Sequence, residues 1–127
     1  MLRYVTLGSN DLARSARFYD AALAPLGYCR LVTTDREIGY GLPGATAELW
    51  VLTPFNGAAA TFGNGTDVAF DAPSHAAIDA FHAAALANGG SDEGAPGLRR
   101  HYTPTFYTAY VRDPDGNKLN AVFDAPV

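Results

Sequence analysis

The chain repeats itself. Val5, Phe18, Leu23 and Gly27 are answered by Val68, Phe81, Leu86 and Gly90, each pair 63 positions apart. Tyr4-Val5-Thr6-Leu7 is likewise answered by Asp67-Val68-Ala69-Phe70, with large apolar residues second and fourth in both runs. A shared offset and a shared order of elements predict two copies of a β-α-β-β-β unit. One module covers about residues 1–53, a Gly-, Ala- and Asn-rich linker about 54–65, and a second module about 66–127.

Local signals fill in each copy. Alternation predicts a first strand over 2–7, with Val5 and Leu7 on one face and Tyr4 and Thr6 on the other. Asn10 or Asp11 can cap a helix running to Leu23, its side-chain oxygen taking an orphan N–H of the first turn. Leu12, Ala16, Tyr19 and Leu23 mark the buried face of that helix, and Pro25 stops it. Strands are expected at about 28–33, 37–40 and 47–52. In the second copy Ser74 caps a helix that buries Ile78, Phe81 and Ala85 and ends at Gly89-Gly90. Residues 91–105 read as a long loop that covers one end of a cleft. Two further strands, about 106–112 and 118–123, flank the turn Asp113-Pro114-Asp115-Gly116-Asn117. One helix cannot cover both faces of so much sheet, so the free faces must line a cleft or find another partner.

Composition excludes several classes. A formal net charge of −4 leaves no basic footprint for nucleic acid. No apolar run is long enough to span a bilayer, and no secretory signal is read at the N-terminus. The single cysteine, Cys29, excludes an internal disulfide framework and fits a cytoplasmic protein.

The pairing of the Asp113–Asn117 turn with Asn10-Asp11-Leu12 and Phe18-Tyr19-Asp20 resembles the vicinal oxygen chelate superfamily. Glyoxalases, extradiol dioxygenases and bleomycin-resistance proteins belong to it. The resemblance spans essentially the whole chain. It implies an α+β fold in which two βαβββ modules pair into a cleft-forming curved sheet, and it implies a homodimer. It also implies where a metal would be held. Enzymes of the superfamily carry a histidine early in the first strand of each module, and those positions here read Tyr4 and Asp67. The usual glutamate after the Asp-Pro-Asp-Gly turn is replaced by Asn120, and Glu48 or Trp50 stands at the remaining position. No cofactor is therefore expected. Should a divalent metal bind, carboxylate and amide oxygens favour Mg²⁺ or Mn²⁺ over Zn²⁺ or Ni²⁺.

Strand parity puts Tyr4, Thr6, Glu48, Trp50, Asp67 and Asn120 on the cleft face, and Phe106 and Tyr110 beside them. His101 and Tyr102, in the 91–105 segment, reach the same cleft, and Phe55 and Phe62 of the linker add to its aromatic character. Glu48 and Asp67 are the candidate catalytic carboxylates. His75 and His82 fall on the second helix, exposed and packing respectively. Two functions follow. One is a small-molecule binding protein with an aromatic-lined cleft and no metal. The other is a metal-dependent glyoxalase-like lyase or isomerase, or a dioxygenase, acting on a small oxygenated substrate.

Overall fold

The computed structural model describes residues 1–125, so the last two residues of the second module lie outside the description. The first module runs β1 (Val5–Gly8), α1 (Leu12–Leu23), β2 (Cys29–Thr33), β3 (Glu37–Gly41) and β4 (Leu49–Leu52). The second runs β5 (Val68–Asp71), α2 (His75–Ala87), β6 (Ser91–Leu98), β7 (Phe106–Arg112) and β8 (Lys118–Asp124). The sheets are ordered β1-β4-β3-β2 and β5-β8-β7-β6, so the repeat extends to topology. In each, the first strand pairs parallel with the last: Val5 with Leu49, Val68 with Leu119.

Both helix starts follow from their caps. The side chain of Asp11 accepts from the Arg14 N–H, and that of Ser74 accepts from the Ala77 N–H. Phe18, Tyr19, Ala22 and Leu23 of α1 are buried against one sheet face, as are Ile78, Phe81 and Ala85 of α2. A short 3₁₀ turn, Ala24–Leu26, follows α1, and Gly27 closes it at φ 92°. The core joins the helices to the helix-side residues of the strands, Leu7, Ile38, Tyr40, Leu49, Val51, Val111, Leu119 and Ala121.

Three expectations need correction. The first strand starts at Val5, and Leu2 is exposed ahead of it. The fixed offset slips near the end of the second helix. Leu23 is buried, but Leu86 is 41% exposed, and the left-handed glycine is Gly89, not Gly90. Both helices start at the same offset, so Leu86 keeps the helical phase of Leu23. The buried face of α2 is narrower, Ala77, Ile78, Phe81 and Ala85, and leaves Leu86 outside it, while the slip itself falls at the closing glycine. The segment read as a long loop is mostly strand β6, hydrogen-bonded to β7. It lacks alternation because it is an edge strand, where Pro96, glycines and register shifts between Asp92 and Gly97 are tolerated.

Candidate functional site

The sheets present their second faces away from the helices. In the first, Thr6 pairs with Trp50, and Trp50 with Gly39. A Cβ on Gly39 would lie 3.0 Å from the indole of Trp50, so the glycine makes room for that ring. In the second, Ala69 pairs with Asn120, and Asn120 with Tyr110. The turn that joins β7 to β8 sets this register.

The turn is itself held by the first module. Asp113 is buried, and its Oδ1 accepts from the N–H groups of Asp115 and Asn117, both at 2.9 Å. Its Oδ2 accepts from the Tyr19 hydroxyl at 2.5 Å and from Asn117 Nδ2 at 2.9 Å. Asn117 Nδ2 also donates to the Gly8 carbonyl. Asp115 Oδ1 accepts from the Asn10 N–H and from Arg14 Nη2, at 3.0 and 2.9 Å, and its Oδ2 from Ser15. The two motifs that carry the family resemblance therefore touch each other.

Three basins open on or beside the sheets. The first, about 320 Å³, is lined by residues of both modules, from β1 and β5 and the residues just before them. Tyr4, Glu48 and Asp67 line it, with Tyr28, Tyr40 and Phe70 among the others. The second, about 520 Å³, lies on the free face of the second sheet. Asp67, Tyr102, Phe106, Tyr110 and Asn120 line it, with Asp71 and Asp124. The third holds His101 with Arg99, Lys118 and Glu93, and shares Tyr102 and Tyr110 with the second. Thr6 and Trp50 line none of the three. Tyr4 and Glu48 are thus brought together with Asp67 but in a different basin from Asn120, and Asp67 belongs to both.

Neither linker phenylalanine lines these basins. Phe62 packs on Gly116 and under the Arg112 guanidinium, and Phe55 is exposed. His75 is exposed and stacks on Tyr107, with ring centroids 3.9 Å apart. His82 Nε2 meets the Asp92 carboxylate at 2.8 Å.

Electrostatics distinguish Asp67. Partial burial raises its carboxyl above the ordinary value, opposed by the nearby Lys118. The Tyr110 hydroxyl is raised by burial first, then by Tyr102 and Asp67, against the pull of Arg99. Lys118 Nζ lies 5.1 Å from the Tyr110 ring centroid. Asn120 is 3% exposed. Thr108 Oγ1 donates its one hydrogen to the Ala121 carbonyl at 2.7 Å, so it can only accept from Asn120. Asn120 Nδ2 makes that bond at 3.2 Å, and Oδ1 is left buried without a partner. Asp71 and Asp124 are missed in the sequence because their strands read as ending at Phe70 and Phe123, one residue short; their parity with Asp67 and Asn120 is the signal that would have found them.

The donor set can be weighed against a metal. Among the described residues no three His, Cys, Asp or Glu side chains cluster as metal ligands. Tyr4, Asp67 and Asn120 offer no imidazole, and Asn120 is a neutral amide tied to Thr108. These residues do not fit the transition-metal centre that the resemblance would supply.

Paired β-α-β-β-β modules with open sheet faces define a class of cleft-forming proteins. The family model described as the Glyoxalase/Bleomycin resistance protein/Dioxygenase superfamily matches residues 2–121. A glyoxalase/bleomycin resistance protein from Albidiferax ferrireducens is 45% identical, with 94% of each chain covered and a TM-score of 0.82. A glyoxalase-related enzyme from Fulvimarina pelagi is 24% identical over 97% of this chain and 87% of its own, with a TM-score of 0.75. TnmS3, an antibiotic binding protein from Streptomyces, shares the fold at 18% identity and a TM-score of 0.66, over 98% and 96% of the chains. No curated protein matches the chain. The chain belongs to the glyoxalase/bleomycin resistance protein/dioxygenase superfamily.

Proposed function

We propose that this protein binds a small organic molecule in the aromatic basin of its second sheet, without a metal. The observation that carries this reading is the side-chain set at the positions where the family's enzymes hold a metal. Tyr4, Asp67 and Asn120 stand there, and Asn120 lies in a different basin from Tyr4 and Glu48. What surrounds Asn120 instead is Tyr102, Phe106 and Tyr110, flat faces suited to stacking. Retention is thus the activity for which these residues are equipped, in the cytoplasm, where Cys29 stays reduced.

The exposed apolar residues Leu2 and Leu42, 77% and 54% exposed, support a second proposal, that two copies associate. Light scattering across a dilution series should return twice the chain mass. A monomer at all concentrations overturns it.

The binding reading is tested by metal content and ligand response together. Protein purified without chelators should carry no stoichiometric metal and take up none from Ni²⁺, Zn²⁺, Mn²⁺ or Mg²⁺. Thermal shifts with a panel of aromatic compounds should be unchanged by EDTA. A tightly held stoichiometric metal, with ligand response lost in EDTA, overturns it in favour of a metal-dependent enzyme using Glu48 and Asp67.

A further inference from the structure

The second basin is charged in one sense only. Its charged lining residues are Asp67, Asp71 and Asp124, and no Lys, Arg or His is among its lining residues. The hydrogen of Thr103, also in the lining, is given to Asp124 Oδ1 at 2.7 Å. Thr105 donates to the same oxygen, and these bonds hold the Asp124 carboxyl below the ordinary carboxylate range. Asn120 adds an amide oxygen that has no donor. An unpartnered buried acceptor costs free energy, and a ligand that donates to it removes that cost.

The cations lie in the neighbouring basin. Arg99 is engaged with the carbonyls of Gly97 and Ala95, at 3.0 and 2.8 Å. Lys118 rests over Tyr110 and offsets part of the charge of Asp67. Among the described residues, no ion pair joins a cation to Asp71 or Asp124. The apolar part of the lining is aromatic. Tyr102 and Phe106 have ring centroids 5.0 Å apart at 59°, forming a corner, and Tyr110 stands beside Asn120 in the register.

Excess acceptors, net negative charge and electron-rich ring faces select one kind of ligand. We propose that this basin takes a protonated amine on a flat apolar body, its N–H donated to Asn120 Oδ1 and its charge balanced by Asp67 and Asp71. An ammonium group is a donor with no acceptor, which matches a lining with acceptors to spare. Its charge is attracted by carboxylates and ring faces alike. Partial burial already penalises the ionised Asp67, and an adjacent ammonium relieves that penalty. This inference deepens the binding reading above and rests on it.

The test is a matched series of naphthylmethylamine, naphthylmethanol and naphthoic acid, titrated at neutral pH and followed by NMR shifts of backbone amides. The amine should bind about tenfold more tightly than the alcohol, with shifts centred on β5 and β8, and weaken with added salt. The preference should vanish in Asp67→Asn/Asp71→Asn, two exposed positions whose change leaves the core intact. Asn120→Leu should weaken the amine more than the alcohol. Equal binding of amine and alcohol overturns the amine assignment and leaves the aromatic-basin reading standing, as does preference for the acid. Failure of all three to bind overturns both. A preference that survives the double Asn variant overturns the site.

Discussion

Tyr19 donates to a carboxylate whose hydrogen-bond partners are all neutral. Asp113 takes the Tyr19 hydroxyl, Asn117 Nδ2 and two backbone N–H groups, and no guanidinium or ammonium. Burial first, and then the charge of Asp113, push the Tyr19 hydroxyl well above its ordinary value, so it remains a donor. Tyr19→Phe keeps the ring and removes one donor from a buried oxygen. It should cost about 1–3 kcal/mol, read from urea unfolding midpoints at unchanged slope. Asp67 gives the opposite kind of effect. Its carboxyl sits above the ordinary 3.8, so the folded chain holds that proton at pH values where the unfolded chain has lost it. Ionised Asp67 therefore costs stability at neutral pH, and the cost disappears as pH falls below the ordinary value. Asp67→Asn should raise Tm at neutral pH and leave it unchanged well below pH 3.8. A lower Tm at neutral pH would show that the pairing with Lys118 outweighs desolvation.

The hairpin of β7 and β8 depends on one left-handed residue. Gly116 has φ 90°, and a Cβ there would lie 2.7 Å from Phe62 Cδ1. Gly116→Ala should destabilise by at least about 1–2 kcal/mol, measured by denaturant unfolding, with Phe62 forced to move. This hairpin was legible in the sequence because Asp-Pro and Asp-Gly each have a local reason to turn. Both helix starts were legible for the same reason, since Asp11 and Ser74 cap their own first turns. β6 was not. Its Ser-Asp-Glu-Gly-Ala-Pro-Gly run has no local preference for a strand, and only β7 makes it one. Leu86 shares the helical phase of Leu23 but not its burial, because the repeat records a residue's place in its element and not how wide a helix face the sheet covers. The face shared by Phe106, Tyr110 and Asn120 follows from a period of two. The split into separate basins does not, because it depends on how the modules meet.

The two modules repeat in topology but not in how their helices begin. α2 starts on Ser74 alone. α1 also starts on a local cap, yet its first turn carries Arg14 and Ser15, whose side chains reach Asp115 of the other module, as does the N–H of Asn10. The Asp115 side chain is 1% exposed, so its loss strips partners from a buried site. Asp115→Ala should destabilise by about 1–3 kcal/mol by denaturant unfolding, since the Arg14 guanidinium left behind reaches solvent. Hydrogen exchange should quicken at the start of α1 and at the β7–β8 turn together. Quickening at the turn alone would mean that the contact does not join the modules. The linker lies on the same junction, with the Ala60 N–H donating to Asn10 Oδ1 at 2.7 Å and Asn10 Nδ2 to the Ala60 carbonyl at 3.1 Å. This asymmetry bears on the order of assembly. Of the two helices, the one synthesised earlier finds its full set of partners only when the β7–β8 hairpin has been made. In pulse-labelled refolding, the start of α1 should gain protection no earlier than the strands that flank Asp115, so a chain synthesised from its N-terminus completes that end last.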